Sequence, residues 1–571
     1  MISRRGFLHG SAATAGALLA GSNARLQAGE DSTPKEQNGH LPQGMQVGLA
    51  LPSQVPMPSS VVDGLQDIGV NYVNFFTAAS TGNYLTVESI SDSRQQAIAE
   101  AMVNVCERAG FAFSPSVHWK DIPDATLAFY GRNRACQGVV MDEGEHIRQL
   151  NWHRFGKAFG VAPWAEVDGL SLQDAYVRTL EGARKTREAY KSFGLDTIVT
   201  CVWPVMFHTI ARAQIGVACK VQGLSYTPVT FALALGAAHQ YNVPFWICVE
   251  MWSQGTGSAL PGHSPEEFRS NLLFAYWMGI DHIYVENGGW SSPPAGAQGV
   301  PWNLLSYQSE RQYRLTEYGK ILRWFCREYI PNHPRDYTWR DVVPEIVIVR
   351  FPDTSWGQRY SWGLRERDRG QGYSEWPDNL YGALNLHSDA ATEAWFKIWN
   401  LLTYGVTGDD GITYFKYRIG KELLPANPDS SPVAQNVKMH TFFSPLNNVV
   451  VYDHLVPETL LESAKLIFLT GTEVSPESLK GVASRVEAGA ICVALPSLVK
   501  PLFSDDTGRR PAIVPRGKGK WVIAEDFGHP EVLDEVKPFL GDPRQIRYRF
   551  GKREVRFRRT TDDFNQIEIE V

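Results

Sequence analysis

The stretch Val243-Pro244-Phe245-Trp246-Ile247-Cys248-Val249-Glu250-Met251-Trp252 joins an apolar run to a carboxylate flanked by aromatic residues. A short apolar run between turn signals is typical of a strand covered on both faces, as in a parallel sheet. Earlier in the chain, residues 138–145 (GVVMDEGE) have the same form and also end in acid. The two stretches predict that Glu143 and Glu250 face each other across the mouth of one barrel.

Strand and helix signals alternate regularly from Gln46 onward. The strand candidates are residues 47–51, 72–76, 111–118, 138–143, 197–202, 219–226, 245–250 and 282–286. Helix candidates among and after them include residues 93–109, 171–193, 229–241, 265–279 and 311–329. Eight βα units predict an α/β fold of the (β/α)₈ or TIM-barrel type, for which about 250 residues is typical. A doubly wound sheet would show the same alternation with fewer units.

The chain of 571 residues is too long for a single core, since domains commonly have roughly 100 to 200 residues. After a Pro-rich connector at residues 331–341 the pattern predicts a second α/β unit with an open sheet, followed by short antiparallel strands. The predicted division is a signal peptide at 1–28, a linker at 29–44, a barrel at 45–330, an α/β domain at 340–530 and a β segment at 531–571.

The N-terminus resembles a twin-arginine export signal. Residues 3–8 (SRRGFL) carry the adjacent Arg pair, residues 10–20 are weakly apolar, and a small-residue site lies near Ala28. Removing residues 1–28 would take away three Arg and no acid, so the formal net charge would move from -6 to -9. We therefore expect a periplasmic or secreted protein.

Composition and motifs exclude several classes of function. An acidic mature chain without basic clusters argues against nucleic acid as a partner. No apolar run after the signal reaches the roughly 18 residues needed to span a bilayer. The sequence contains no zinc motif and no nucleotide-binding loop, so we expect no metal and no cofactor. The spacing of the seven Cys does not suggest a disulfide framework.

The predicted strand ends are rich in acids and aromatic residues. In a barrel of this type the active site lies at the C-terminal ends of the strands. The candidates there are His118, Trp119, Asp142, Glu143, Glu145, Trp203, Tyr226, Glu250, Trp252, Glu286, Asn287 and Trp290. Aromatic faces pack on the C–H faces of sugars, and carboxyl groups act on the glycosidic oxygen and the anomeric carbon. This composition predicts a carbohydrate substrate and glycoside cleavage by Glu143 and Glu250.

Two alternatives remain open. In an α-glycosidase-type barrel, Asp142 would be the nucleophile and another acid, such as Glu286, the proton donor. The barrel could also bind carbohydrate without catalysis, because fold does not imply function.

At these residues the chain resembles the clan of retaining (β/α)₈ glycoside hydrolases, whose acid/base Glu follows strand 4 and whose nucleophile Glu follows strand 7. The resemblance implies that Glu143 is the acid/base and Glu250 the nucleophile. In that clan the residue before the acid is usually Asn, and here it is Asp142. Asp142 or Glu145 therefore stays an alternative for the strand 4 role.

The second unit resembles the Rossmann-like, glutamine-amidotransferase-like trimerisation domain that follows the barrel in family 42 β-galactosidases. The resemblance implies an assembly or lid role and makes a homo-oligomer plausible. It does not imply amidotransferase activity, because Cys492 lacks the flanking Gly residues of a nucleophile elbow.

An irregular insertion interrupts this unit at residues 353–382. Its Trp356, Trp362 and Trp376 are predicted to roof the barrel mouth, with Arg359 or Arg365 available for polar or anionic groups. The alternative is a solvated loop whose Arg residues pair with acids of the loop.

Overall fold

A closed ring of parallel strands forms the first part of the molecule. The computed structural model describes residues 39–51, 57–76, 92–117, 122–142, 170–201, 206–221, 227–250, 265–286, 290–291, 304–353, 390–406, 423–425, 438–440, 444–503, 511–559 and 567–571. The barrel strands are β1 Gln46–Leu51, β2 Tyr72–Phe76, β3 Ala112–Val117, β4 Val139–Asp142, β5 Thr197–Cys201, β6 Gly216–Val221, β7 Phe245–Glu250 and β8 His282–Glu286. Each pairs in parallel with the next, and β1 pairs with β8 to close the barrel.

Helices lie between the strands and cover the outer face of the barrel. They are α1 Ser59–Ile68, α2 Asp92–Ala109, α3 Asp124–Arg132, α4 Leu172–Lys191, α5 Phe207–Arg212, α6 Thr227–Tyr241 and α7 Pro265–Trp277. The Ser171 hydroxyl caps α4 by accepting a hydrogen bond from the Asp174 amide at 3.1 Å. Such caps satisfy a backbone donor that the first turn leaves open. The helices predicted near α2, α4, α6 and α7 are confirmed to within two residues at each end.

Strand β6 begins earlier than predicted. The predicted strand covered residues 219–226, whereas β6 runs from Gly216 to Val221 and residues 222–226 lie outside the described part of the chain. Gly216 looks like a turn residue in the sequence, but it pairs with Ile198 inside the sheet. A Cβ atom at Gly216 would lie 2.3 Å from Cδ1 of Ile198, the end of a side chain that would have to turn away.

A small sheet and a helix follow the barrel. Strand β9 Trp290–Ser291 pairs with β10 Leu305–Ser309, which forms an antiparallel pair with β11 Gln312–Leu315. The prediction of a helix from residue 311 is therefore wrong at its start. Helix α8 Glu317–Trp324 begins after Thr316, whose hydroxyl accepts a hydrogen bond from the Gly319 amide at 3.1 Å. It continues through a π-helical segment, Phe325–Tyr329, into α9 Ile330–Asn332.

The second sheet has six strands in the order β16-β12-β17-β18-β20-β19, parallel except for β19. Its strands are β12 Ile346–Phe351, β16 Val449–Tyr452, β17 Leu466–Gly471, β18 Ile491–Ala494, β19 Ala512–Arg516 and β20 Gly519–Ile523. Its helices are α10 Ala390–Leu402, α11 Pro476–Ala488 and α12 Pro496–Val499. This sheet confirms the predicted Rossmann-like unit. Cys492 lies fully buried in β18, and burial raises the pKa of its thiol.

Short strands complete the chain. Strands β13 Leu423–Pro425 and β14 Lys438–His440 form an antiparallel pair. The C-terminal sheet has the order β15-β21-β22-β23. Its strands are β15 Leu446–Asn447, β21 Gln545–Phe550, β22 Arg553–Arg559 and β23 Ile567–Glu570, and α13 Pro530–Val536 precedes β21. The predicted fold class, a TIM barrel followed by a Rossmann-like domain and C-terminal strands, is confirmed.

Helix α6 joins the barrel to the second sheet. Its residues from Thr227 to Ala238 are all buried, because it packs on β6 and β7 on one side and on β16 on the other. Gly236 lies against β16 so closely that a Cβ atom would be 1.7 Å from the Val451 carbonyl oxygen. Polar contacts surround this packing: the His208 ring contacts the same carbonyl oxygen at 2.9 Å, and the Gln240 amide donates to Asp453 at 2.6 Å.

The predicted roof of the barrel lies almost entirely outside the described residues, including its three Trp and both Arg. The first residue of that insertion, Asp353, is described and buried. It accepts hydrogen bonds from the Thr209 amide at 2.8 Å and from the Thr209 hydroxyl at 2.7 Å. Asp353 therefore ties the end of β12 to helix α5. Among the residues placed here, no helix is both long and apolar enough to cross a membrane.

Candidate active site

Alternation along the barrel strands decides which side chains face the interior. In β7, Phe245, Ile247 and Val249 belong to the outer core beneath the helices, while Trp246 and Cys248 belong to a separate cluster inside the barrel. Successive side chains of a strand point to opposite faces, so Glu250 continues the inward-facing series. The same period carries Asp142 inward after Val140, and Glu286 inward after Tyr284.

Aromatic rings fill the N-terminal half of the barrel. The rings of Trp246 and His282 stack with centroids 3.5 Å apart and planes at 4°. The Tyr72 ring meets the His282 ring edge-on at 4.2 Å. Burial lowers the pKa of His282 well below its usual value, which keeps the imidazole neutral. Above them the hydroxyls of Thr200 and Tyr284 share a hydrogen bond of 2.8 Å. This packed floor leaves the C-terminal strand ends as the place for a site.

Three carboxyl groups meet around one lysine at those strand ends. The Lys220 ammonium lies 3.5 Å from Asp142 Oδ1 and 3.6 Å from Glu250 Oε1, and it donates a short hydrogen bond to Glu286 Oε2. The side chains of Lys220 and Glu250 are 0% exposed, and those of Asp142 and Glu286 are 9% and 8% exposed. The cluster draws on β4, β6, β7 and β8, so the closure of the barrel brings it together.

The sheet register explains how one lysine reaches all three groups. Lys220 pairs with Cys248, whereas Glu250 pairs with Glu286 two residues further along their strands. The four-carbon stem of Lys220 spans this step and carries the ammonium to the level of the carboxyl groups. Since the Asp142 and Glu250 oxygens both lie within 3.6 Å of one nitrogen, they are at most twice that distance apart. That limit includes both the separation of about 5 to 5.5 Å used by retaining glycosidases and the lower end, near 6.5 Å, of the range used by inverting ones.

Cys248 completes the inner wall. Its thiol donates to Glu286 Oε2 at 3.6 Å. Burial, followed by the charge of Glu286, raises the pKa of the Cys248 thiol well above its usual value. A thiolate is the nucleophilic form of cysteine, so Cys248 is suited to packing and weak hydrogen bonding rather than to covalent chemistry.

The structure brings together three of the residues predicted from the sequence: Asp142, Glu250 and Glu286. Trp290 begins β9 and pairs through its backbone with Leu305. The other predicted site residues lie outside the described residues: His118, Trp119, Glu143, Glu145, Trp203, Tyr226, Trp252 and Asn287. Within the described residues, no group of three or more His, Cys, Asp or Glu side chains is arranged to hold a metal ion.

Lys220 was missed as a site residue. The sequence does contain a signal for it, because Lys220 is the single charged residue in the apolar stretch Gly216–Val221. A lysine in a fully buried strand requires a partner of opposite charge. The prediction took strand 6 to end at Tyr226, which lies outside the described residues, and so named Tyr226 as that strand's contribution.

Fold and site together define a (β/α)₈ barrel with an acidic centre at its C-terminal strand ends, followed by a Rossmann-like domain. Solved structures similar to this chain include β-galactosidases from the psychrophilic Marinomonas ef1, Bacillus circulans sp. alkalophilus and the Antarctic haloarchaeon Halorubrum lacusprofundi. Their identities to it are 9%, 10% and 9%, and their TM-scores are 0.53, 0.51 and 0.51. Each comparison covers 90% of this chain and, respectively, 95%, 92% and 93% of the other.

These structural similarities extend over both domains and show that this chain shares the fold of those proteins. No model of a known protein family matches the sequence, and no curated protein matches it either.

Proposed function

We propose that the protein is a glycoside hydrolase that cleaves a β-glycosidic bond by a retaining mechanism, with Glu250 as the nucleophile. One observation carries the proposal: Glu250 lies fully buried at the C-terminal end of β7, in contact with Lys220 and in a cluster with two further carboxyl groups. Glycoside cleavage requires two carboxyl groups with different protonation states at short distance. The three structurally similar proteins named above are β-galactosidases, which supports a carbohydrate substrate.

The chemistry proceeds in two displacements. An ionised Glu250 oxygen attacks the anomeric carbon and forms a C–O bond, while a protonated carboxyl group gives its proton to the departing glycosidic oxygen. That acid, now a carboxylate, takes a proton from water as the water oxygen attacks the anomeric carbon and releases Glu250. We assign the acid/base role to Glu143, which follows β4 directly.

Asp142 is the second candidate for the strand 4 role, because its carboxylate lies 3.5 Å from the lysine that also contacts Glu250. Single Asn or Gln replacements of Asp142 and Glu143 distinguish the two. We expect Glu143→Gln to lower kcat/KM by about 10³-fold for substrates with poor leaving groups, and much less for an activated aryl glycoside that needs no proton. The measurement is a comparison of kcat/KM across leaving groups for each variant. If Asp142→Asn shows that dependence and Glu143→Gln does not, the roles are reversed.

Product stereochemistry tests the α-glycosidase alternative. We expect a β-glycoside to be cleaved with retention, which NMR of the first-formed anomer reports. Cleavage of α-glycosides with Asp142 essential would replace the present assignment. Ligand binding without turnover, unchanged in Glu250→Gln, would indicate a carbohydrate-binding barrel.

The proposal includes export through the twin-arginine pathway, on the strength of Arg4, Arg5 and the apolar run after them. We expect residues 1–28 to carry a fused reporter into the periplasm, and the double replacement Arg4→Lys with Arg5→Lys to leave it in the cytoplasm. Cell fractionation measures this, with Arg25→Lys as the matched control. Equal export of the double variant would contradict the assignment. Assembly into a homo-oligomer through the second domain also remains a proposal.

A further inference from the structure

Lys220 is the cation at the centre of the acidic cluster, and glycoside cleavage by two carboxyl groups does not by itself require it. Its side chain is fully buried, and its ammonium contacts carboxyl groups from β4, β7 and β8. A buried ammonium without partners would be strongly disfavoured, so the contacts are a condition for Lys220 to remain charged.

The four described charges of the cluster do not balance one another. One ammonium faces three carboxyl groups, so full ionisation would leave these four groups with a net charge of about -2 in a buried volume. Burial and neighbouring like charges both favour the protonated form of a carboxyl group, whereas an ammonium within about 4 to 6 Å favours the ionised form. Lys220 thus opposes the other two influences on Glu250.

We propose that Lys220 is a positioning residue that keeps Glu250 ionised and holds its carboxylate in register with those of Asp142 and Glu286. The nucleophilic role of Glu250 on which this rests is the proposed function, but the charge relation itself is testable without turnover. The ammonium favours the ionised form of all three carboxyl groups, and Glu250 loses that support when Lys220 is removed.

Other titratable groups face the cluster from neighbouring strands. They are the Cys248 thiol on β7 and the Tyr284 hydroxyl on β8, and burial raises the pKa of both well above the usual values. Both are therefore neutral at working pH. Below them, the neutral ring of His282 adds no charge. Among the described residues, the pH response of the cluster consequently belongs to Asp142, Glu250, Glu286 and Lys220, and the proposed acid/base Glu143 adds a further carboxyl group.

Removing the ammonium gives a distinctive pH dependence of stability. In Lys220→Met the buried carboxyl groups bind protons more tightly in the folded chain than in the unfolded chain, whose Asp and Glu have pKa values near 4. The folded state then holds more protons, so its stability falls as pH rises above that value. We expect Tm to drop by about 5 °C or more at pH 8, and by less than half as much at pH 5.

Two further variants complete the stability experiment. Lys465→Met removes a half-exposed lysine that pairs with Glu345 at 2.7 Å. Arg547 and Arg549 still pair with that carboxylate, so Tm should change little at either pH. The double variant Lys220→Met with Glu250→Gln removes one charge of each sign and should recover part of the lost Tm. An equal drop at both pH values, or no recovery in the double variant, overturns the proposal.

Turnover provides the second readout. We expect the acid limb of the pH profile of kcat/KM to move up by about one pH unit or more in Lys220→Met, because Glu250 loses the charge that favours its ionised form. Lys465→Met should keep the wild-type profile. If the wild-type protein hydrolyses no glycoside, the proposed function fails and the Tm comparison still decides the role of Lys220. An unshifted acid limb in an active Lys220→Met variant overturns the proposal.

Discussion

Replacing Glu250 by Gln is expected to lower kcat/KM for glycoside hydrolysis by about 10³-fold or more. The amide keeps the size of the side chain but cannot attack the anomeric carbon. Because backbone groups make the pairing of Glu250 with Glu286, the replacement leaves that strand pairing intact. The measurement is steady-state kinetics on the best substrate from a panel of aryl β-glycosides and plant and algal polysaccharides.

The matched control is Glu525→Gln, which makes the same change at an exposed position of the second domain. Its kcat/KM should equal that of the wild type. Azide adds a test of role, because a small anion fits the space vacated in Glu250→Ala and attacks the anomeric carbon from the nucleophile's side. We expect azide to restore turnover and to give the glycosyl azide of inverted configuration. Activity of Glu250→Gln within tenfold of the wild type removes Glu250 from the mechanism.

The largest effect on stability is expected for Gly236→Ala. A Cβ atom there would lie 1.7 Å from the Val451 carbonyl oxygen, so α6 and β16 would have to move apart. The Val451 oxygen belongs to the backbone, and a Cβ atom is fixed by the helix backbone, so no side-chain rotation can relieve the contact. We expect a loss of about 3 kcal/mol or more in the free energy of unfolding, at the upper end of the range for overpacking. Denaturant titration followed by circular dichroism measures it.

Gly64→Ala serves as the control, since Gly64 also lies in a helix and its new Cβ would meet side-chain atoms of Leu305 and Tyr313 at 2.9 to 3.0 Å. Those side chains can shift, and Ala is the better helix former. A small change in either direction is expected for Gly64→Ala. Equal effects of the two replacements would show that the contact between α6 and β16 is looser than described.

The barrel could be predicted because apolar residues repeat with different periods in strands and in helices. Few folds contain eight successive βα units. The second sheet could be predicted because the sequence pattern of strand and helix signals changes after residue 341. Two element boundaries were predicted wrongly. Strand 6 was predicted to begin at Cys219, whereas β6 begins at Gly216, a residue type that is depleted in strands. Residues 311–316 were assigned to a helix, although Gln312–Leu315 pair with β10.

Part of the site could also be predicted from the sequence. Asp142, Glu250 and Glu286 each end an apolar run, so their convergence followed from the fold. Lys220 lies one residue before the end of β6, and its role depends on the register that sets it opposite Cys248 and below the carboxyl groups. The local sequence does not specify the register between strands. The charge mismatch of a lysine in an apolar run was the available clue.

The stacked rings of Trp246 and His282, with Tyr72 across them, close the barrel on the N-terminal side of the acidic centre. No polymer can thread along the barrel axis. For a glycosidase with Glu250 as nucleophile, the substrate must therefore arrive, and the freed sugar must leave, on the C-terminal side of the barrel. The freed sugar and the next substrate then compete for the same site, and a released sugar at high concentration should act as a competitive inhibitor.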